Sequence, residues 1–377
     1  MKRIKGKRNN IWLTAVMAVA LIGSTQKGEP ALKNLYKQDF HIGAALNLAQ
    51  VSGRDKKAEA ILARHYNTIS PENLLKWESV HPRPKEYNLK PADDYVALGQ
   101  KQKMFVVGHT LVWHQQTPDW VFTDSNDKPA SRELLLQRMQ EHIYTVARRY
   151  KGKIHGWDVV NEALNDDGTM RKSKWQQLIG DDFVAKAFEF AKKADPSAEL
   201  YYNDYNMWKP AKREGAIRLV KSLQEKGIKV AAIGMQGHWG LKSPTIAQIE
   251  ESIVAFSKTG AKVVITELDI DVLPNPSNRQ GADIDATFDF DQQYNLYTEG
   301  LPAEVEQELA ARYADIFALF RKHRDKISRV TFWGVTDRDS WLNDWPIKGR
   351  TSYPMLFDRE YHPKPAFKAV VKAAAKK

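Results

Sequence analysis

Apolar residues recur along the chain in two alternating patterns. Short runs of aliphatic and aromatic residues alternate with longer stretches whose apolar positions lie three or four residues apart, as on one face of a helix. The helical spacing is clearest at residues 131–150, 181–196 and 212–227. The short apolar runs predict eight strands, at residues 41–47, 66–73, 104–113, 154–163, 199–206, 231–239, 263–270 and 330–337.

The order of these elements favours one of two fold classes. Eight strands, each followed by a helical stretch, predict a closed parallel α/β barrel, the (β/α)8 or TIM barrel. A doubly wound open sheet is the alternative, but its first strand normally leads into a glycine-rich phosphate turn, and ALNLAQVSG is not one. We therefore expect one catalytic barrel domain at residues 30–377. Its βα loops after strands seven and eight are extended, and the helix after the seventh begins near Ala303.

The first 25 residues have a different character. A basic segment, MKRIKGKRNN, runs into the short apolar segment IWLTAVMAVALI and then into GSTQ. This order is typical of a secretory signal peptide, and the apolar segment is shorter than the roughly 20 residues that span a bilayer. We predict a signal peptide at residues 1–25, export to the periplasm or the extracellular space, and no membrane span after its removal. A nuclear-type basic cluster and a retained anchor are the alternatives.

The amino-acid composition limits the kinds of site and partner that this protein can have. The chain has 377 residues, of which 42% are hydrophobic, so it can bury a large core without covalent staples. It has no cysteine, which excludes disulfides, thiolate metal sites and cysteine nucleophiles but leaves the redox compartment open. The net charge is +11, yet basic residues crowd the N-terminus and are elsewhere mixed with acids, as on solvated surfaces. A basic polysaccharide- or nucleic-acid-binding protein is therefore the less favoured reading, and we expect no nucleic-acid partner.

Polar side chains collect where the predicted strands end. In a TIM barrel these ends surround the active site, so together they predict a polar pocket. Residues two apart on a strand face the same way, which allows His238 to contact both Glu267 and Asp269 and to hold Glu267 ionised. The strand-end residues are Asn47, Glu72, Asn73, His109, Asn161, Glu162, Asn203, Tyr205, Gln236, His238, Glu267, Asp269 and Trp333.

Two of these carboxyl groups, Glu162 and Glu267, each end an apolar strand. Placed across one barrel mouth, they could flank a glycosidic bond, one protonating the leaving oxygen and the other attacking the anomeric carbon. Eleven tryptophans supply flat apolar surfaces suited to sugar rings. His109 and His114 lie on opposite faces of a strand, and NDDGT at 165–169 lacks the other ligands of a calcium loop. We therefore expect no metal site and no cofactor.

Several longer strings resemble the family 10 glycoside hydrolases, the endo-β-1,4-xylanases. The resemblance extends over essentially the whole chain after the leader, with its motifs in the family's order. These strings are ENLLKWESVHP (72–82), GHTLVWHQQTPDW (108–120), WDVVNEA (157–163), YYNDYN (201–206), GMQGHW (234–239), ITELD (265–269), FWG (332–334) and DSW (339–341).

The resemblance implies an enzyme that hydrolyses xylan and xylo-oligosaccharides with retention of configuration. Glu162 would be the acid/base, Glu267 the nucleophile that forms a covalent glycosyl-enzyme, and Asn161 the partner of the sugar 2-hydroxyl. Gln236, His238 and Asp269 would support them, while Trp341 would crowd the space of a hexose hydroxymethyl group. A β-1,4-glucanase on the same barrel is the rival activity. The implied substrate-binding residues are Glu72, Asn73, Lys76, His109, Trp113, Gln116, Tyr205, Trp333 and Trp341.

The oligomeric state, the preferred decoration of the xylan and the number of subsites stay open at this point.

Overall fold

Parallel strand segments form the centre of the protein in the computed structural model, which describes residues 30–276, 284, 287–289 and 291–375. The strands in this part of the chain are β1 (His41–Leu46), β2 (Thr68–Pro71), β3 (Phe105–Trp113), β4 (Gly156–Asn161), β5 (Glu199–Asp204), β6 (Ala232–Met235), β7 (His238–Gly240), β8 (Lys262–Asp271) and β9 (Ile327–Phe332).

The strands close on themselves. Hydrogen-bonded neighbours run from β1 to β6, then to β8 and β9, and β9 pairs back with β1. The short strand β7 follows β6 in sequence and pairs with β8. All these pairings are parallel, so the predicted eight-stranded (β/α)8 barrel is confirmed.

Helices follow the strands and cover the barrel. In the long helix after β3, Leu135, Met139, Ile143 and Val146 are fully buried at three- and four-residue spacing, which is why this segment forms a helix that packs along one face. The helices are α1 (Leu32–Leu35), α2 (Leu48–Val51), α3 (Lys56–His65), α4 (Trp77–Val80), α5 (Lys90–Lys101), α6 (Arg132–Arg149), α7 (Lys174–Ile179), α8 (Phe183–Ala194), α9 (Pro210–Glu225), α10 (Ile246–Ser257), α11 (Ala303–Lys322) and α12 (Pro365–Ala375).

Each of the eight predicted strands corresponds to a strand of the barrel. Six of them match to within two residues at each end, and the other two differ more. The sixth is interrupted between β6 and β7 by Gly237, whose φ of 90° is in the left-handed region that favours glycine. The eighth was expected at 330–337 but spans Ile327–Phe332, so Trp333 begins a loop. Beyond it, Thr336 caps a single 3₁₀ turn at Asp337–Asp339, which ends the extended conformation.

The predicted signal peptide lies outside the described residues, and so does part of the loop after β8. The expected helix near Ala303 is confirmed as α11. Within the part of the chain that the structure describes, no helix combines the length and apolarity needed to cross a membrane.

Candidate active site

A cleft of about 280 Å³ opens at the carboxyl ends of the strands. All the predicted catalytic, supporting and substrate-binding residues line it except Asp269 and Tyr205. Of the other predicted strand-end residues, Asn47 and Asn203 do not line it, and Ile284 in the loop after β8 is an unpredicted addition. The lining residues are Glu72, Asn73, Lys76, His109, Trp113, Gln116, Asn161, Glu162, Gln236, His238, Glu267, Ile284, Trp333 and Trp341.

Glu162 directly follows β4, and its carboxyl group is almost fully buried, with 3% of the residue exposed. Trp113 Nε1 donates to its Oε2 atom at 2.8 Å, and Gln236 Nε2 donates to Oε1 at 2.7 Å. Asn161 Nδ2 also donates to Oε1, at 3.1 Å. Three donors from three different strand ends therefore fix this carboxyl group in the cleft.

The environment of Glu162 favours the protonated acid. Burial and the negative charge of Asp204 raise its pKa to about 7, and the charge of Glu267 adds to this effect. The hydrogen bonds from Gln236 and Trp113 act in the opposite direction and are outweighed. At neutral pH Glu162 is therefore poised to give or accept a proton.

Glu267 on β8 lies in a different environment. Asn203 Nδ2 donates to its Oε1 atom at 2.7 Å, and His238 Nε2 donates to Oε2 at 3.1 Å. Burial alone would raise the pKa of Glu267, but the hydrogen bond from His238, the charge of His109 and the Asn203 amide together bring it below its ordinary value. Glu267 is thus favoured as the ionised carboxylate, whereas Glu162 is favoured as the protonated acid.

His238 maintains this difference, as the sequence predicted. Its Nδ1 atom donates to Asp269 Oδ2 at 2.9 Å, opposite the bond from Nε2 to Glu267. Burial would lower the pKa of His238, but the charge of Asp269 and the bonds to both carboxylates raise it to about 9. The imidazolium therefore donates from both nitrogens. Asp269 acts through His238 and is not among the described residues that line the cleft.

Asn203, at the end of β5, links the two carboxyl groups. Its Nδ2 atom donates to Asn161 Oδ1 at 2.9 Å as well as to Glu267, and Thr266 Oγ1 donates to its Oδ1 at 2.6 Å. A side chain at Gly234 would meet Asn203 Oδ1 at 2.3 Å, so only glycine fits beside it. The sequence placed Asn203 among the strand ends but gave no sign of this central position.

A second polar group forms one wall of the cleft. Lys76 Nζ donates to Asn73 Oδ1 at 2.8 Å and to Gln116 Oε1 at 2.7 Å, and it lies 4.8 Å from the centre of the Trp113 ring. Burial lowers the pKa of Lys76 and raises that of Glu72. These groups present amide, ammonium and carboxyl functions suited to sugar hydroxyls.

Aromatic side chains complete the wall. His109 Nδ1 lies 2.9 Å from Asp158 Oδ2, and the Trp333 ring meets the His109 ring edge-on at 5.3 Å. Trp341 stacks on Trp345 with ring centres 4.4 Å apart. Asp158 was not predicted, because a buried strand carboxylate followed by two valines gives no sign of its histidine partner.

Tyr205 differs from its expected place. Its ring is buried and is absent from the described lining of the cleft. Its hydroxyl accepts a hydrogen bond of 2.6 Å from Arg171 Nη2, and Arg171 Nε donates to the Glu162 carbonyl at 3.0 Å. Tyr205 is thus connected to the main chain of Glu162 rather than to the open cleft.

No group of three or more potential metal-binding side chains occurs within the described residues. In the NDDGT segment, Asp166 pairs with Lys209 at 2.5 Å and accepts from Asn206, while Asp167 accepts from Thr169 in an ordinary turn. These partners account for the acidic residues of the segment.

Two buried carboxyl groups with oppositely shifted pKa values at the carboxyl end of a (β/α)8 barrel are the arrangement that a glycoside hydrolase requires. Comparison with known proteins agrees, because the family model described as glycosyl hydrolase family 10 matches residues 31–373. The chain belongs to glycosyl hydrolase family 10.

Individual relatives cover nearly the whole chain. Endo-1,4-beta-xylanase A of Xylanibacter ruminicola is 44% identical over 93% of this chain and 95% of its own length. Endo-1,4-beta-xylanase of Geobacillus stearothermophilus is 42% identical over 91% and 98%. The solved structure of a GH10 endoxylanase retrieved from sugarcane soil metagenome is 46% identical, with a TM-score of 0.88 over 91% of this chain and 99% of that one.

Proposed function

We propose that this protein is an endo-1,4-β-xylanase that cleaves internal bonds of xylan with retention of configuration. The observation that carries the proposal is that Glu162 and Glu267 face one cleft and are linked through Asn161 and Asn203. Their surroundings shift the two pKa values in opposite directions. The names of the similar proteins support xylan as the substrate.

In the first step Glu162 transfers its proton to the oxygen of the scissile bond while a carboxylate oxygen of Glu267 attacks the anomeric carbon. The carbon–oxygen bond to the leaving chain breaks, and an ester to Glu267 forms. In the second step Glu162, now ionised, takes a proton from water. The resulting hydroxide attacks the anomeric carbon and releases Glu267, which restores both protonation states.

The surroundings of the two carboxyl groups fit these roles. Asn161 bonds Glu162 and is linked to Glu267 through Asn203. It would donate to the sugar 2-hydroxyl, where a hydrogen bond gains strength in the transition state. His238 and Asn203 bond Glu267 from two sides, which orients the attacking group and keeps it charged. We assign Glu72, Asn73, Lys76, His109, Trp113 and Gln116 to binding of the glycone.

Endo action follows from the shape of the surface. A groove that shares Glu72, Asn73 and Trp341 with the cleft continues past Asn47 and Trp345. Another groove shares His238 and continues past Trp208 and Trp239. A polymer can therefore extend beyond the reacting sugar in more than one direction.

Discrimination against glucose would come from Trp341. This ring is fixed by stacking on Trp345 and lies 4.8 Å, centre to centre, from the His238 ring. A rigid indole there leaves little space for the hydroxymethyl group that a hexose carries and xylose lacks.

The test is the product profile and anomeric configuration from linear xylo-oligosaccharides, with turnover of xylan compared with that of carboxymethyl-cellulose. We expect internal cleavage, β-configured products and a strong preference for xylan. Inverted products, or hydrolysis that survives Glu267→Ala, would contradict the mechanism. Equal turnover of carboxymethyl-cellulose would instead favour the glucanase.

We also propose that the protein is exported, on the basic and apolar segments of residues 1–25 alone. Expression with and without this segment, followed by mass spectrometry of the N-terminus, tests the proposal. A mature protein that begins near residues 24–26 in the periplasm or the medium is expected, and an uncut cytoplasmic protein would contradict it.

A further inference from the structure

A largely buried cluster of charged and phenolic residues adjoins Glu162 and has no role in the reaction steps above. It consists of Asp204, Lys212, Arg171, Tyr202 and Tyr205, and none of these is among the described residues that line the cleft. The side chains of Asp204 and Lys212 are completely buried. Burying charge is costly, so a cluster placed beside an active-site acid requires an explanation.

Asp204, the last residue of β5, is the centre of the cluster. Lys212 Nζ lies 2.8 Å from its Oδ1 atom, which also accepts from the backbone N–H of Tyr205 at 2.9 Å. The Tyr202 hydroxyl donates to Oδ2 at 2.5 Å, and the backbone N–H of Leu164 donates to the same atom at 3.3 Å. Three hydrogen-bond donors and one paired ammonium group surround the two oxygens, as suits a carboxylate, which only accepts.

The cluster also holds the main chain of Glu162. This residue has a φ of 60°, an uncommon left-handed conformation for a non-glycine residue. Its N–H donates to the Asn203 carbonyl at 2.9 Å, and its own carbonyl accepts from Arg171. Asp204 accepts a hydrogen bond from the backbone of Leu164, two residues after Glu162. The main chain is therefore held at Glu162 and also just beyond it.

Several charged or titratable groups face Glu162 from the elements around it. Among them, the negative charge of Asp204 raises the pKa of Glu162 more than that of Glu267 does. Asp204 Oδ2 also lies 3.3 Å from the backbone nitrogen of Leu164, two residues along the chain from Glu162. Asp204 is also the acidic member whose position is fixed from all sides by donors. The groups are Asp204 at the end of β5, Glu267 on β8, Lys76 before α4, Arg171 in the loop after β4, and Tyr205 after β5.

We propose that Asp204, held in place by Lys212 and Tyr202, is a positioning residue that keeps the proton on Glu162 and thereby sets the alkaline limit of the enzyme. The inference rests on the proposed function, because it takes Glu162 as the proton donor. Lys212 has the opposite influence, since it offsets part of the negative charge that Asp204 presents.

The decisive variant is Asp204→Asn, which keeps the shape but removes the charge. We expect the alkaline limb of kcat/KM to move to lower pH by about one unit, the typical effect of one nearby charge. The ratio of kcat/KM at about pH 8 to that at about pH 5 then falls about ten-fold. The fall should appear with xylo-oligosaccharides but not with an aryl xyloside whose leaving group needs no proton.

Lys212→Met provides an independent measurement with the opposite sign. Asp204 keeps three other donors, so its charge remains and is less compensated, and the alkaline limb should move to higher pH. Asp195→Asn is the matched control. Asp195 is also fully buried, and it accepts a hydrogen bond from Ser197. It precedes β5, whereas Asp204 is the last residue of that strand. The Asp195→Asn substitution should therefore leave the alkaline limb of the pH profile unchanged.

An alkaline limb at the wild-type position in folded Asp204→Asn would overturn the inference. So would an equal loss of rate at every pH and with every leaving group, because that pattern indicates a structural role only. If Asp204→Asn does not fold, an unmoved or lowered limb in Lys212→Met overturns it. Hydrolysis that persists in Glu267→Ala would instead contradict the proposed function, whatever the positions of the acidic and alkaline limbs in the other variants.

Discussion

The indole Nε1 of Trp341 donates a hydrogen bond to Oδ2 of Asp269, 2.8 Å away. The same oxygen accepts from His238 Nδ1, and His238 in turn bonds Glu267. One buried carboxylate therefore fixes both an aromatic wall of the cleft and the partner of the proposed nucleophile. On the proposed function, specificity and reactivity would therefore depend on a single anchoring group.

Asp269→Asn should weaken both functions of that carboxylate. Without the charge of Asp269 the pKa of His238 falls, Glu267 loses its charged donor and the pKa of Glu267 rises. We expect kcat/KM to drop roughly ten- to hundred-fold, the value of one hydrogen bond to a charged group, and the acidic limb to move to higher pH. Asp325→Asn, on the exposed surface, is the control. An unmoved acidic limb would contradict the relay through His238.

Glu162→Gln should separate substrates by their leaving groups. The amide keeps the shape and part of the hydrogen bonding but has no proton to give. We expect a loss of about 10²–10⁴-fold with xylo-oligosaccharides and a much smaller loss in the first step with activated aryl xylosides. Stopped-flow release of the aryl group measures this step. Equal slowing of both substrates would count against Glu162 as the proton donor.

The pH dependence of kcat/KM should be bell-shaped. As the pH rises through about 7, Glu162 loses the proton that the leaving oxygen needs, so the rate falls. As the pH falls through the lowered pKa of Glu267, the nucleophile becomes protonated and the rate falls again. Initial rates on a soluble xylo-oligosaccharide across this range test the prediction. A rate that keeps rising well above neutral pH would contradict it.

Acid should destabilise the fold through two stacked histidines. The rings of His81 and His142 are buried 5.8 Å apart, and their four nitrogens have no hydrogen-bond partner among the described residues. Burial lowers the pKa of His81 to about 4 and that of His142 well below its usual 6.5. The unfolded chain therefore binds protons first, and stability falls as the pH drops from about 6.5 towards 4.

His142→Phe should flatten that fall. Each unit by which the pKa differs between the folded and unfolded states is worth about 1.4 kcal/mol. The free energy of unfolding of His142→Phe, relative to that of the wild type, should therefore be higher at about pH 5 than at pH 7. Urea unfolding at several pH values measures it. His362→Phe, an exposed histidine, is the control. If the free energy of unfolding falls equally steeply with pH in the wild type and in His142→Phe, this histidine does not contribute to the loss of stability in acid.

Arg350→Met should loosen the loop that carries Trp341. The fully buried guanidinium donates to Asp271 Oδ2 at 2.7 Å, to the Leu342 carbonyl at 3.1 Å and to Asn275 Oδ1 at 3.1 Å. Loss of Arg350 removes the cation that compensates the buried Asp271 carboxylate, which costs about 3–5 kcal/mol of stability. We expect a lower midpoint in thermal unfolding and a higher KM for xylo-oligosaccharides.

The double variant Arg350→Met with Asp271→Leu should recover much of the lost stability, because it also removes the buried charge that Arg350 compensates. Lys348→Met, at an exposed lysine of the same loop, should change neither quantity. Stability that is lost equally in the single and double variants would show that the ion pair is not the cause.

The order of strands and helices was readable from the sequence because each barrel strand is buried on both sides and each helix on one. Runs such as VVITELDI therefore differ plainly from the spaced apolar positions of α6. The position of Glu162 at a strand end followed from the same pattern, whereas Glu267 lies inside β8, which continues alongside β7 to Asp271. The contact of His238 with Glu267 and Asp269 followed from two-residue alternation along β7 and β8.

Only the tertiary structure decided the rest, because it depends on residues that are distant in sequence. Asn203 becomes central since β5 lies between the strands of the two carboxyl groups, and Asp204 influences Glu162 because β4 and β5 pair side by side. Tyr205 turns from the cleft to Arg171, and Asp269 reaches Trp341 across 72 positions of chain. Periodicity reports which face of an element is buried, whereas partners and protonation states are set by what closure of the barrel brings against that face.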